Sequence, residues 1–193
     1  MFVFVSFRGG LDVKTDQTGL ESIYEQFNNH EIMFHVSTLL PHSKIERQQL
    51  ERKRHIGNDI VAIIFQENET QFNPECITSQ FLHVYLVVTP LDSQGTRYKV
   101  SAIHRDSVPA FGPSLQTSNV FHRDQIFKQW ILTKLINAEL ASCRANTFQK
   151  YQVDHRNFAF VLHGCVLFFH RNVRKSIYSK IFINNCTNRI VCG

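Results

Sequence analysis

The chain has 193 residues, 43% of them hydrophobic, with 21 Lys+Arg against 16 Asp+Glu for a net charge of +5. That length suits one domain with a substantial core, and no run approaches the ~20 apolar residues of a membrane-spanning helix. Residues 1–154 hold 15 basic and 16 acidic residues, whereas 155–193 hold six basic residues (Arg156, Arg171, Arg174, Lys175, Lys180, Arg189) and no acid. The body is therefore nearly neutral and lacks the basic-aromatic pattern of a nucleic-acid binder.

Phe2–Val5 reads as an opening strand ended by Gly9-Gly10, and is too short for a signal-peptide core of about 7–15 residues. Leu20, Ile23, Tyr24 and Phe27 recur at helical spacing and predict a helix. Glu31–Leu40 predicts a strand with Ile32, Phe34 and Val36 on one face and Met33 and His35 on the other. His35 reads as a satisfied, half-buried side chain rather than a ligand, since no second ligand stands at a recognisable spacing.

After Pro41, Ser43 and Glu46 form an S-x-x-E capping box at a helix start. The helix is poor in apolar residues: Ile45, Leu50 and Ile56 stand among Arg47, Gln48, Gln49, Glu51, Arg52, Lys53, Arg54 and His55. Gly57 predicts a left-handed stop. Ile60–Phe65 then runs without a polar break, as a strand covered on both faces does. Two readings of Arg54, His55 and Asn58 stand side by side. The cations favour the negative end of a helix dipole and Asn tolerates a turn; alternatively, a buried strand presents a polar site at its end.

Further on, Glu67–Pro74 predicts a polar loop, Phe81–Thr89 a long apolar strand, Pro90–Gly95 a turn and Arg97–His104 an edge or half-exposed strand, with Lys99 and Ser101 on its polar side. Pro109, Gly112 and Pro113 around Phe111 predict a rigid loop. Arg123 to about Tyr151 predicts the longest helix, with Ile126, Phe127, Trp130, Ile131, Leu135 and Ala138 as its stripe. Strands interspersed with helices imply an α/β fold with a central mixed sheet flanked by helices.

Five cysteines (Cys76, Cys143, Cys165, Cys186, Cys192) form no disulfide framework, so reduced thiols and a cytoplasmic setting are expected. Cys76 and Cys143 have no identifiable base for nucleophilic chemistry. The segment 157–169 is mostly apolar and too short to span a bilayer; it admits a strand, a buried helix or an exposed patch. His163, Cys165, His170, Cys186 and Cys192 match no common zinc spacing, so no metal site is expected.

The run QQLERKRHIGNDIVAIIFQE at Gln48–Glu67, preceded by EIMFHVSTLLP at Glu31–Pro41, resembles the signature of the Rap GTPase-activating domain of the Rap/Ran-GAP family. FRGGLD (Phe7–Asp12), TGLESIY (Thr18–Tyr24), FLHVYLVV (Phe81–Val88), YKVSAIHRDSVPAFGP (Tyr98–Pro113) and ILTKLINAE (Ile131–Glu139) match in order. The resemblance implies a catalytic domain over 7–152 and a divergent, basic and apolar tail over 153–193. It also implies that the family's dimerisation region is absent.

What it implies for function is a GTPase activator for Rap-type small GTPases. Asn58 matches the Asn thumb that such domains insert in trans to orient the attacking water. His55 matches a position that engages the GTPase, with Arg54 and Arg52 as supporting partner contacts. Lys53 and Asp59 fall to surface solvation or to holding the helix end. No cofactor of its own is implied, because GTP and Mg2+ belong to the partner, and the chain has no G-x-x-x-x-G-K-[ST] loop. No independent enzymatic reaction is expected. The alternative is a truncated isoform that binds a Rap, Rheb or Ral-like GTPase, or another partner, without stimulating hydrolysis.

Overall fold

Strands that are apolar on both faces belong in the interior of a sheet, and β3 (Val61–Gln66), all six residues of it buried, takes such a place. The computed structural model describes residues 17–42, 50–66, 71–115, 117–145, 165–170 and 189–191; for the last two segments and Glu51 it describes the backbone alone. In chain order the other elements are β1 (Glu21–Phe27), β2 (His30–Val36), α1 (Leu50–Gly57), β4 (Val84–Pro90), β5 (Arg97–His104), β6 (Val120–His122), α2 (Gln125–Ser142), β7 (Cys165–His170) and β8 (Arg189–Val191). The strands make one mixed sheet in the order β6-β5-β4-β3-β7-β2-β1-β8, parallel at β2/β7, β7/β3 and β3/β4. The fold is α/β, a mixed sheet with helices on its faces.

The alternation of β3 explains the two layers. Val61, Ile63 and Phe65 join Phe34, Leu86, Val100 and the α2 residues Phe127, Ile131, Leu132 and Leu135 in one core cluster. Ala62 and Ile64 turn the other way and pack with Leu40, Ile56 of α1, Phe72, Leu82 and Tyr85. Each fully buried Ile or Leu contributes about 1.5–3 kcal/mol of transfer free energy. Sparse apolar content in α1 therefore suffices, because Ile56, alone among its described residues, reaches this second core at 2% exposure. The loop around Phe111 is tied to α2: Lys134 Nζ donates to the Phe111 carbonyl at 2.8 Å and Asn137 Nδ2 to that of Gly112 at 3.0 Å.

Several sequence expectations are corrected. Leu20–Phe27 is not a helix: Glu21–Phe27 is a strand that pairs antiparallel with β2 from Ile23↔Phe34 to Phe27↔His30. The two-residue turn between them has positive φ at both Asn28 (49°) and Asn29 (61°), the requirement of a tight hairpin turn that matches strand twist. Leu20, which the helical stripe would bury, is 63% exposed. Gly57 has no positive φ and ends α1 as a helical residue. Of the two placements expected for β5 the half-exposed one holds, with Lys99 and Ser101 exposed and Tyr98 and Val100 buried, while the edge itself is taken over Arg97–Lys99 by the short β6. The α2 helix ends at Ser142, and Ile126 lies off its buried stripe at 73% exposure.

Of the tail, Cys165–His170 is a strand between β2 and β3 and Arg189–Val191 pairs with β1. The opening strand at Phe2–Val5 and the Ser43/Glu46 capping box lie outside the described residues.

Candidate functional site

One end of the sheet gathers the residues singled out above. Parallel pairing of β3 and β4 begins at Val61↔Val84, and antiparallel β5 leaves that level at His104↔Val84. The entry to β3 (Asn58–Ile60), the entry to β4 (Ser79–His83) and the exit of β5 at Arg105 therefore meet there. Backbone bonds stitch them together: His83 N–H to the Ile60 carbonyl at 2.9 Å and Arg105 N–H to the His83 carbonyl at 3.0 Å.

Asn58 is exposed in the turn between α1 and β3. Its N–H donates to the His55 carbonyl at 3.3 Å and the Asp59 N–H to that of Ile56 at 3.4 Å, a tightened last helical turn. Neither Gly57 nor Asn58 has a positive φ, so the backbone makes no demand here that Asn is suited to meet. Among the described residues nothing hydrogen-bonds the Asn58 carboxamide.

Two braces hold this turn. On one side Ser79 Oγ donates to the Gly57 carbonyl at 2.5 Å and accepts from the N–H groups of Phe81 and Leu82, each at 3.0 Å. Arg105 in turn fixes that segment, donating from Nε to the Leu82 carbonyl at 2.8 Å and from a terminal nitrogen to the Ser79 carbonyl at 2.6 Å. On the other side Asp59 is 3% exposed and its carboxylate oxygens lie 2.8 and 3.1 Å from Nδ1 of His35 on β2. Asp59 is thus not a surface charge but holds the helix end from a buried position, and His35, at 7% exposure, is buried rather than half-buried. The contact follows from pleat geometry: His35 points to the face opposite Phe34, the face covered by α1.

Burial pulls the His35 imidazole down, but the hydrogen bond that its Nδ1–H donates to Asp59 and the negative charge of that carboxylate together outweigh burial and hold it above the ordinary value of 6.5. The His55 ring, partly buried on α1, lies with its centroid 6.1 Å from that of His35. Arg54 is exposed, whereas Arg52 is partly buried and turns a terminal nitrogen inward to the Leu40 carbonyl at 3.0 Å. Burial lowers the Arg52 pKa. Asn58, His55 and Arg54 therefore share the helix end, and Arg52 reaches back to the turn after β2.

His35, Ser79 and Arg105 are the contributors that sequence reasoning did not assign to the site. Each lies in a stretch quoted above or just before one, but a polar side chain facing inward carries no spacing signal of its own. Among the described residues there is no group of His, Cys, Asp and Glu able to hold a metal ion and no helix long and apolar enough to cross a membrane.

Comparison with known proteins adds independent information. A family model described as Rap/ran-GAP matches residues 3–157. The human GTPase-activating Rap/Ran-GAP domain-like protein 3 is 49% identical over 148 residues, 75% of this chain and 14% of that protein. Signal-induced proliferation-associated 1-like protein 1 of Mus musculus is 43% identical over 149 residues, 76% of this chain and 8% of that protein. The chain thus spans a small part of the length of the curated relatives it matches. Among solved structures, that of the TSC2 GAP domain is similar with a TM-score of 0.57 at 26% identity, covering 72% of this chain and 73% of that one.

Proposed function

The chain belongs to the Rap/ran-GAP family, and we propose that it activates a Rap-type small GTPase by lending Asn58 to the partner's active site. The observation that carries this reading is Asn58 itself, exposed on a twice-braced turn with its carboxamide committed to no described neighbour. GTP hydrolysis by a small GTPase is slow until a water is held in line with the γ-phosphate. A carboxamide can hold that water, because its oxygen accepts from the water and its NH2 donates to nearby oxygens, with no change of ionisation. Correct positioning of this kind is worth several kcal/mol of the barrier.

His55, in the last turn of α1, engages the GTPase surface, with exposed Arg54 as a supporting contact to acidic or phosphate groups. Arg52 contributes through the geometry of α1 as well as through any contact of its own. GTP and Mg2+ belong to the partner, so the chain needs no cofactor and performs no reaction alone. The setting is the cytoplasm, where small GTPases are met. Residues 7–152 are the catalytic unit, with the strands β7 and β8 supplied from beyond it.

The test is single-turnover hydrolysis on a panel of GTP-loaded Rap, Rheb and Ral-like GTPases. Stimulation greatest on Rap is expected. Stimulation confined to another member replaces the partner and keeps the mechanism, whereas binding without stimulation of any member overturns the activator reading.

A further inference from the structure

We propose that His35 and Asp59 are a positioning pair for Asn58, an ion pair that ties the residue after the thumb to strand β2 and so sets where the carboxamide sits. This rests on the reading of Asn58 given above. Asp59 follows Asn58 directly, and consecutive Cα atoms are a fixed ~3.8 Å apart; whatever fixes Asp59 constrains its neighbour. Both carboxylate oxygens face one imidazole nitrogen at 2.8 and 3.1 Å. His35 is itself held in the sheet, its β2 backbone in register with Val166 of β7, which is in register with Ala62 of β3. The anchor is therefore rigid with respect to the strand that the thumb turn enters.

Stability does not call for such a pair. An apolar pair of similar volume often serves a core as well as or better than a buried ion pair does, whereas a directional contact fixes one arrangement. Here the directional contact sits next to the one residue whose placement the proposed chemistry depends on. Asp59 from the approach to β3 and His55 from α1 are titratable groups that face His35, and the residue in register with it on β7, Val166, is apolar. A raised imidazole pKa means that the charged pair is complete below the ordinary His value and is lost as pH rises through the raised one. Positioning should weaken on the alkaline side.

The experiment is single-turnover hydrolysis by GTP-loaded Rap with wild type, Asp59→Asn and His35→Gln, over a range of chain concentrations and between about pH 6 and 9. The GTPase's unassisted rate is measured over the same range and subtracted. The expected result is a loss on the order of 10- to 100-fold in the saturated rate of both variants, with the half-saturating concentration changed by less than about 2-fold. The wild-type saturated rate falls toward the alkaline end, and that fall is missing from the variants.

Variants with the wild-type saturated rate, or with the loss confined to half-saturation, overturn the pair's role. If the variants melt below the assay temperature, the wild-type profile decides, and a flat profile overturns it. Wild-type stimulation that requires Asn58 while His35→Gln is unaffected removes this inference alone; no wild-type stimulation removes the thumb reading with it.

Discussion

Ser79 Oγ donates to the Gly57 carbonyl at 2.5 Å, joining the entry of β4 to the last residue of α1. The last carbonyls of a helix have no partner within it, and here a side chain from a neighbouring loop supplies one. The same oxygen accepts from two backbone N–H groups, so one hydroxyl organises the loop and the helix end together. The turn bearing Asn58 is thereby held by a fixed object rather than by its own conformational preference.

Replacing that hydroxyl tests the brace. Ser79→Ala leaves the partly buried Leu82 N–H and Gly57 carbonyl, and the exposed Phe81 N–H, without this partner, and is expected to cost about 1–3 kcal/mol. Thermal melting measures the cost. Stimulation of GTP hydrolysis at a temperature where the variant is fully folded should fall as well, because Gly57 precedes Asn58. A variant with unchanged melting and unchanged stimulation contradicts the brace.

The hairpin of β1 and β2 makes a second prediction. Leu20→Gln should change stability by less than about 0.5 kcal/mol, since Leu20 is 63% exposed. Ile23→Ala should cost about 2–5 kcal/mol, since Ile23 is 3% exposed in the α2-side core. Chemical denaturation distinguishes the two outcomes, and comparable losses at both positions would favour a helical stripe over the strand.

A third prediction concerns acid. The Asp92 carboxylate accepts from the Thr96 N–H and hydroxyl, each at 2.8 Å, and from the Arg97 N–H at 2.9 Å. These bonds, the Thr96 N–H foremost, hold its pKa down to about 2. A depressed carboxylate stabilises the fold above its unfolded value of about 3.9 and loses that contribution as pH falls through the folded value. Carboxyl NMR titration should place the Asp92 midpoint near 2. Thr96→Val should move it upward; an ordinary Asp midpoint in the wild-type chain contradicts the turn.

How much of this could be read from the chain depended on whether the signal was local. The unbroken apolar run at Ile60–Phe65 announced a doubly covered strand, and the alternation from Ile32 to Val36 announced β2, because burial imprints directly on residue type. The segment Leu20–Phe27 misled, since Leu20, Ile23, Tyr24 and Phe27 satisfy helical spacing by coincidence. The deciding feature was the left-handed Asn28–Asn29 turn, whose meaning depends on pairing with β2. Gly57 and Ile126 misled in the same way: glycine permits a left-handed stop without requiring it, and an apolar residue at a helix start need not face the core.

For the site, Asn58, His55 and Arg54 stood out because they share one conspicuous motif. The supports did not. Asp59 reads as one more charge in a charged helix end, and only the fold brings it to His35, 24 residues earlier in sequence. Ser79 and Arg105 act on the same turn from two other strands' connections, which no spacing rule encodes.

The measurement that tests the central claim most directly compares wild type with Asn58→Ala in single-turnover hydrolysis by GTP-loaded Rap, alongside equilibrium binding to the same GTPase. The account predicts a loss of stimulation on the order of 100-fold or more, with binding and melting temperature nearly unchanged because the side chain is exposed. An Asn58→Ala chain that stimulates hydrolysis as well as wild type would contradict it.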